Sequence, residues 1–575
     1  MGILFRWGGS VTFDLVGTLP HTRNAYNQPD VHTFHSFRLF RVGRIAASVG
    51  LGLLFAFSVG TVAGAQADSS AGQADTGAGR GRILLVLPFD NRSGQPSLDW
   101  IREASADILG SRFNSAGFAP MSRPERLYAL DHLGLPQGFQ PSRASSLKLA
   151  ETLDADSIVV GSFQTDGTAI IAEARLVDVP HLRMGEAVTE RGELRDLVSI
   201  FDSLAWKLTR ELEPGFSVPE ETFVAAGRGM RLDAFEQYIR GIMEPDQQER
   251  LRHLKQAVAL SPDLGPAWMA LGRDDYAGQK YDEAATAFGK VGGNGPDALE
   301  AGFYRGLSLL FSGDYPRAEE SFARVAKALP LPAVVNNEGV ALSRRRKDAS
   351  ALFRQAVAGD PTAADYHFNL AVSLKRKGDG PEALSEMGQC LRLRPSDGEA
   401  DDLLAAWKAQ TGAQGASTAD PLERIVRSFD AVAFRQAAQM IDQVEASRLA
   451  ALGPHERAVR LAAQARDFLD RGLLLEAERG FQSAIAADSK VAEAHEGLAE
   501  LRERTGDSAA ARKEASTALE LLPSARAYLV LARLDLAAGH VEQAAGEADA
   551  ALGIDPKSPE AMAVRKQIEA RTGQK

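Results

Sequence analysis

Residues 264–330 read LGPAWMALGRDDYAGQKYDEAATAFGKVGGNGPDALEAGFYRGLSLLFSGDYPRAEESFARVAKALP and contain one pattern twice. The first copy is followed 34 residues later by a second, and the matching positions are Gly272, Ala284, Phe288 and Pro296, then Gly306, Ala318, Phe322 and Pro330. Glycine and alanine at these positions let two helices approach closely, and proline ends the second helix because it cannot continue one. Each helix pair leaves an apolar face that a neighbouring pair must cover. The pattern therefore predicts a stack of helix pairs.

The spacing Trp268-x2-Leu271-Gly272, then Ala284-x3-Phe288, then Pro296 resembles the tetratricopeptide (TPR) signature. Weaker copies precede and follow it, and we predict about eight repeats in two all-α solenoid blocks. The first block, residues 231–410, holds about five repeats and a capping helix, and the second, residues 456–575, holds three and a capping helix. Residues 411–455 are predicted to be a linker followed by helix from 422 to 452, which is either a bridging helix or a divergent repeat.

Residues 82–215 have a different texture, in which apolar runs typical of covered strands alternate with helical patterns. The sequence predicts a mixed α/β sheet here, including a hairpin that turns near Pro180. Three segments resemble the TolB-like amino-terminal domain that often precedes TPR arrays, namely Leu87 to Gly94, Leu153 to Ser162 and Ala174 to Asp178. That resemblance implies a binding module associated with envelope assembly and protein contacts, with no known reaction.

The amino terminus has the order of a secretory signal. Arg38, Arg41 and Arg44 precede an uncharged run from Ile45 to Ala65, which ends in an A-x-A site before Asp68. We predict that residues 1–67 are a leader and signal peptide that sends the chain to the periplasm, and that 68–81 are a linker. The alternative is an uncleaved membrane anchor, because the uncharged run is long enough to span a bilayer.

Composition and motifs argue against several classes of function. A net charge of −11 and a pI near 5.6 are unfavourable for general nucleic-acid binding. The single cysteine, Cys390, excludes an intrachain disulfide and a Cys-based metal centre, and its place in a repeat predicts a buried, inert thiol. No phosphate-binding loop or catalytic motif is present. We therefore predict no enzymatic activity, no cofactor and no metal.

TPR stacks bind partners in the groove lined by the first helix of each pair. We predict that this groove in the first block is the partner-binding site. Its candidate residues are Phe303, Tyr304, Asn337, Arg344, Phe368, Asn369, Lys375 and Arg376. Asparagine amides suit the backbone of an extended peptide, and cations suit its carboxylates. Residues 344–347 and 375–377 should form one basic rim, whereas Glu493, Glu496, Glu500 and Glu503 predict an acidic groove in the second block.

Two functions remain open from the sequence. The first is an exported scaffold or adaptor of the bacterial envelope that binds proteins or peptides in the TPR groove and meets the membrane only through its signal or anchor. The alternative is a periplasmic sensor whose α/β domain binds a small solute while the repeats relay that state.

Overall fold

A computed structural model describes residues 83–136, 142–292, 296–410 and 420–572. The predicted leader and signal segment and the linker at 68–81 lie outside these residues. The described chain forms a mixed α/β sheet domain followed by a long all-helical region, and this confirms the predicted fold class at that level.

Within the described ranges, no helix combines the length and the apolar character that crossing a membrane requires.

The sheet of the α/β domain has seven strands among the described residues. They are β1 (Ile83–Val86), β2 (Asp90–Asn91), β3 (Ala119–Pro120), β4 (Ser157–Asp166), β5 (Ala169–Asp178), β6 (Arg183–Met184) and β7 (Val188–Glu193). The spatial order is β3-β1-β4-β5-β6, and β2 and β7 pair with β4 and β5 respectively. The strands β3, β1 and β4 are parallel, and β5 is antiparallel to its neighbours.

The hairpin predicted near Pro180 is confirmed, because β5 pairs antiparallel with β6 on either side of that turn, Val177 with Met184 and Asp178 with Arg183. A longer antiparallel pair, which the sequence did not predict, is β4 with β5, joined by a tight turn in which Gly167 has a φ of 63°. The strand continues through Gln164, Thr165 and Asp166, whose polar side chains ended the apolar run by which it was predicted. Backbone pairing with β5 holds this extension in the sheet.

Four helices cover the two faces of the sheet. They are α1 (Trp100–Ser115), α2 (Arg123–His132), α3 (Arg143–Thr152) and α4 (Leu197–Leu212). The core under α1 and α4 contains Phe89, Phe113 and Phe201, and the smaller core under α2 and α3 contains Leu85, Leu130 and Leu149. The predicted capping box is confirmed, because Ser122 and Glu125 satisfy each other's backbone amides at the start of α2.

A short helix, α5 (Glu220–Ala225), leads into the repeats. The first block consists of five helix pairs and an end helix: α6 (Leu232–Met243), α7 (Gln247–Leu260), α8 (Gly265–Ala277), α9 (Tyr281–Phe288), α10 (Pro296–Phe311), α11 (Tyr315–Ala328), α12 (Pro332–Arg344), α13 (Ser350–Gly359), α14 (Ala364–Lys377), α15 (Gly380–Leu393) and α16 (Gly398–Gln410). A connecting helix, α17 (Ala431–Ala450), precedes the second block. That block contains α18 (Pro454–Asp470), α19 (Leu474–Ala487), α20 (Ala492–Thr505), α21 (Ser508–Leu521), α22 (Ala525–Ala538), α23 (Val541–Ile554) and α24 (Pro559–Thr572).

The repeat glycines are positions where one helix meets the phenylalanine of its partner. A Cβ on Gly272 would lie 2.8 Å from the ring of Phe288, and a Cβ on Gly306 would lie 2.7 Å from Phe322. The close approach inferred from the pattern is thus confirmed. The prediction for Pro296 is wrong, since this proline begins α10 instead of ending the preceding helix. Proline suits a first helical turn because its missing N–H has no partner to lose there.

We expect Gly306→Ala to destabilise the first block by about 1–3 kcal/mol, because the new methyl group overpacks the ring of Phe322. Thermal unfolding followed by far-UV circular dichroism measures this loss. The matched control is Gly546→Ala in α23, where a Cβ would meet nothing within 4 Å. The control should be neutral or stabilising by up to ~1 kcal/mol, since alanine favours helix over glycine. Equal effects of the two substitutions would contradict the steric account.

The α/β domain packs against both blocks of repeats. Tyr238 of α6 donates a hydrogen bond to Asp107 of α1 at 3.3 Å. On the other block, Arg228 donates to the carbonyl of Thr505 at 3.2 Å, and Leu475 of α19 belongs to the core of the α/β domain. Arg435 of α17 forms an ion pair with Glu125 of α2 at 2.6 Å. The α/β domain therefore forms one packed body with the helices that follow it.

A buried carboxylate in α19, beside α5, makes stability depend on pH. Glu478 is fully buried, and burial raises its pKa to about 7 although Arg502 lies against it. Between its ordinary value of 4.5 and about 7, the folded chain holds a proton that the unfolded chain has lost. The contribution to stability is therefore complete below the ordinary value and is lost as the pH rises through the raised one.

We expect the free energy of unfolding to fall by roughly 2–3 kcal/mol from pH 5 to pH 8 on account of this group, and Glu478→Gln to remove that part of the slope. Urea unfolding at both pH values measures the change. The exposed Glu542→Gln is the control and should keep the wild-type slope. A Glu478→Gln variant with an unchanged slope would show that this residue is not the titrating group.

Candidate functional site

The groove of the first block is filled by the chain's own residues 420–430, which we call the groove segment. This segment lies between α16 and α17 in the sequence and belongs to neither helix nor strand. It crosses α14, α12 and α10 in that order. The prediction of helix from 422 onward is therefore wrong for residues 422–430, and helix begins at Ala431.

Three asparagines, Asn336, Asn337 and Asn369, hold the backbone of the groove segment and form what we call the amide clamp. Asn369 accepts from the Arg424 amide at 2.7 Å and donates to its carbonyl at 2.7 Å. Asn337 accepts from the Val426 amide at 2.9 Å and donates to its carbonyl at 2.7 Å. Asn336 adds a bond to the Arg424 carbonyl at 3.1 Å. Two alternate residues are thus paired through both backbone groups, as a neighbouring strand would pair them.

A buried carboxylate of the segment meets the cations of the groove. Glu423 is 4% exposed and forms ion pairs with Arg344 and Arg376. The hydroxyl of Ser343 donates to the same carboxylate at 2.5 Å. Arg376 also donates to the carboxylate of Asp420 at 2.8 Å and to the Pro421 carbonyl. Charge-assisted bonds of this kind reward an acidic residue at Glu423 and disfavour a basic one.

The next residue reverses the polarity. The guanidinium of Arg424 lies 3.7 Å from the centroid of the Phe368 ring and donates to Asp397 at 2.5 and 2.8 Å. It also reaches Asp365 and Glu399. The hydrogen bond from Arg424 lowers the pKa of Asp397, and the same guanidinium helps to hold the pKa of Asp365 below its usual value against the effect of burial. This position therefore selects a planar cation.

Aromatic residues contact the carboxy-terminal end of the groove segment. The ring of Phe429 lies 5.8 Å from Phe303 and 3.9 Å from Phe434 of α17. Its backbone amide donates to the Tyr304 hydroxyl at 3.4 Å. Arg427 is placed over Phe311 at 5.6 Å. The groove thus contacts the side chains of an acidic residue, an arginine and an aromatic residue in fixed order, while its asparagines contact only backbone groups.

Seven of the eight predicted site residues contact the groove segment: Phe303, Tyr304, Asn337, Arg344, Phe368, Asn369 and Arg376. The eighth, Lys375, instead faces the Trp407 ring of the end helix at 5.6 Å. Binding of a separate partner by these residues stays a prediction.

Sequence reasoning missed Asn336, Ser343 and the whole groove segment. Two signals were available. Asn336 precedes Asn337 directly and lies 33 residues, about one repeat, before Asn369. Asp420 and Glu423 also carry the charge opposite to that of the predicted rim.

The predicted basic rim is largely paired. Arg346 lies 3.3 Å from Asp420, Arg345 pairs with Glu319, and Lys377 lies 2.8 Å from Asp348. The predicted acidic groove of the second block is neutralised in the same way. Arg466 of α18 pairs with Glu496 and Glu500, and Arg533 of α22 pairs with Glu503 at 2.6 Å. The contrast in sign between the grooves is therefore smaller than the sequence suggested, because neighbouring repeats and the groove segment supply the counter-charges.

Cys390 is fully buried, as predicted, and burial raises the pKa of its thiol to about 11, so the thiolate is scarce at neutral pH. Across the ranges that the structure covers, no three His, Cys, Asp or Glu side chains are grouped closely enough to hold a metal ion.

Comparison with known proteins identifies the repeats. The family model for the tetratricopeptide repeat matches residues 269–331, 343–397, 462–526 and 502–559, in both blocks. None of the curated proteins matches the sequence.

Three solved structures show partial similarity. The first, YrrB, is described as a TPR protein with an unusual peptide-binding site and is 17% identical over 35% of this chain and 98% of its own, with a TM-score of 0.26. MamA from Desulfovibrio magneticus RS-1 is 20% identical over 32% of this chain and 99% of its own, with a TM-score of 0.26. The carboxy-terminal domain of LpoB from Salmonella enterica is 20% identical over 20% of this chain and 87% of its own, with a TM-score of 0.18.

Proposed function

We propose that this protein is a non-enzymatic scaffold or adaptor of the bacterial cell envelope. The premise is that the chain carries tetratricopeptide repeats, which are generally modules for binding other proteins. In this proposal the groove of the first block captures an extended segment of a partner protein. The α/β domain and the second block hold that groove in a fixed setting.

The observation that carries the proposal is the amide clamp. Asn336, Asn337 and Asn369 are fully buried under the groove segment, and their side-chain amides form hydrogen bonds with backbone groups of Arg424 and Val426. Because backbone groups are the same in every polypeptide, this arrangement suits any extended chain. Specificity then comes from Arg344 and Arg376 on one side and the carboxylates around Arg424 on the other.

Two features of the sequence support an envelope location. Arg38, Arg41 and Arg44 ahead of the uncharged run are typical of an export signal. The resemblance of residues 82–215 to TolB-like domains points in the same direction. Fusing residues 1–81 to alkaline phosphatase tests export, since that enzyme becomes active only outside the reducing cytoplasm. An inactive fusion would count against the periplasmic location.

Crosslinking capture from a bacterial envelope fraction tests the groove. The bait is the mature chain, both with the native groove segment and with Glu423→Ala/Phe429→Ala, which removes two anchoring side chains. Each bait is compared with its Tyr304→Ala/Asn337→Ala/Asn369→Ala/Arg376→Ala counterpart. Partners that are lost with the four groove substitutions in either background support capture in the groove. Partners that survive them in both backgrounds would move the function to another surface.

A further inference from the structure

The groove segment has the attributes of a ligand. It contributes an acidic anchor at Glu423, a cation at Arg424 and an aromatic at Phe429, and each has a built receiving site. Its backbone is held by side chains, not by neighbouring backbone, in the stretch from Arg424 to Val426. Most backbone groups in a protein pair with other backbone, in helices and sheets, and here asparagine side chains take that place.

We propose that residues 420–430 are a tethered ligand that closes the groove of the first block, and that the partners of this groove carry an extended segment of the same chemistry. That chemistry is an acidic residue directly before an arginine, with an aromatic residue five positions after the arginine. The inference rests on the proposed function, because it assigns a partner class and a form of regulation to the same groove.

The contacts of the groove segment are of a kind that a partner segment could replace. Leu422 is 55% exposed, and Arg427 and Ser428 are exposed as well, so the apolar contribution to docking comes from the half-buried Ile425, Val426 and Phe429. The ion pairs of Asp420 with Arg346 and Arg376 lie at the exposed rim, where salt and water screen them. The strong contacts are those of Glu423, Arg424 and the amide clamp, and a partner segment of the same chemistry would reproduce all of them.

The covalent connection of the groove segment favours it over a separate partner segment in binding the groove. Residues 411–419 join the segment to α16, and a short connection of this kind gives an effective concentration on the order of mM. A free segment of equal intrinsic affinity at micromolar concentration therefore loses to the tethered one. Access to the groove then requires a partner of higher affinity or a change that weakens the tethered ligand.

The test is a binding titration with a fluorescent peptide of the sequence DPLERIVRSFD, which copies residues 420–430. Fluorescence polarisation gives its affinity for the full chain, for Glu423→Ala/Phe429→Ala, and for the control Leu422→Ala, which alters a side chain that is 55% exposed. We expect the peptide to bind the Glu423→Ala/Phe429→Ala protein, which we call the opened variant, at least ~10-fold more tightly than it binds the wild type or the control. Adding Asn337→Ala/Asn369→Ala to the opened variant should abolish binding.

The outcomes separate this inference from the proposed function. Equal binding to wild type and opened variant, lost on Asn337→Ala/Asn369→Ala, would overturn the tethered ligand and leave groove capture intact. A folded, opened variant that does not bind the peptide would overturn the tethered ligand. Partners lost with the four groove substitutions would still support groove capture in that case. A doubled mass in gel filtration would show that a second copy of the chain supplies the segment. That result would also overturn the proposal that each chain closes its own groove.

A second measurement covers the case in which the opened variant does not fold. Hydrogen exchange of the wild-type chain is followed with and without millimolar probe peptide carrying Leu422→Val, which mass spectrometry distinguishes from the chain's own segment. Displacement predicts faster exchange at Arg424 and Val426 when the probe is present. Unchanged exchange at a saturating probe concentration would overturn the proposal.

Discussion

The backbone amides of Arg424 and Val426 are expected to exchange with solvent roughly 150- to 5,000-fold faster in a Glu423→Lys variant than in the wild type. The substitution places a cation between Arg344 and Arg376 and removes the carboxylate that they share. Breaking a buried charge pair typically costs about 3–5 kcal/mol, and here that cost falls on docking of the groove segment. Hydrogen exchange resolved to single amides by NMR or electron-transfer fragmentation measures the effect.

Leu422→Lys is the matched control for this prediction. It introduces the same charge one residue earlier, on a side chain that is 55% exposed. Exchange at Arg424 and Val426 should stay within a few-fold of the wild-type rate, because a solvated cation outside the groove loses little hydration. If both variants accelerated exchange equally, net charge and not the Glu423 site would explain the docking of the segment.

Removing Arg112 is expected to destabilise the α/β domain strongly. Its Nε donates to Asp202 at 2.7 Å, and the Asp202 side chain is completely buried between α1 and α4. Burial already raises the pKa of Asp202 to about 6 while Arg112 opposes that rise. Arg112→Ala leaves the carboxylate without its counter-charge, and we expect a loss of about 3–5 kcal/mol at pH 7.5 in urea unfolding.

The sign of the pH response and a double variant check this prediction. In Arg112→Ala the carboxyl holds its proton to a higher pH, so part of the lost stability should return at pH 5, where the neutral acid is buried. Arg112→Met/Asp202→Leu removes both charges and should be markedly more stable than Arg112→Ala. A double variant as unstable as the single one would mean that lost packing, not the unpaired charge, causes the effect.

The repeats were predictable because their signals are local and recur. Gly306 and Phe322 lie in adjacent helices of one pair, and the same spacing of small and aromatic residues returns in the next pair. The capping box at Ser122 and Glu125 is similarly contained in four residues. The groove residues followed from the same periodicity, because it decides which face of each first helix is concave.

The groove segment was not predictable in the same way. Ile425 and Phe429 are four residues apart, which suits a helix, and no local rule opposes one. In the structure, Asn336, Asn337 and Asn369 offer the backbone a different set of partners. Tertiary hydrogen bonds override helical periodicity here, since the segment's backbone groups are satisfied without a helix.

The sequence by itself determined an α/β domain followed by two stacks of helix pairs, and it determined most of the side chains that line the first groove. Only the tertiary structure decided that the groove is filled from within the chain and that both blocks pack on the α/β domain. The physical reason is separation along the chain. The clamp joins residues 55, 88 and 89 positions apart, and α17 reaches α2 across 310 positions. Periodicity records which residues share a face, and contacts at these separations depend on how the whole chain folds back on itself.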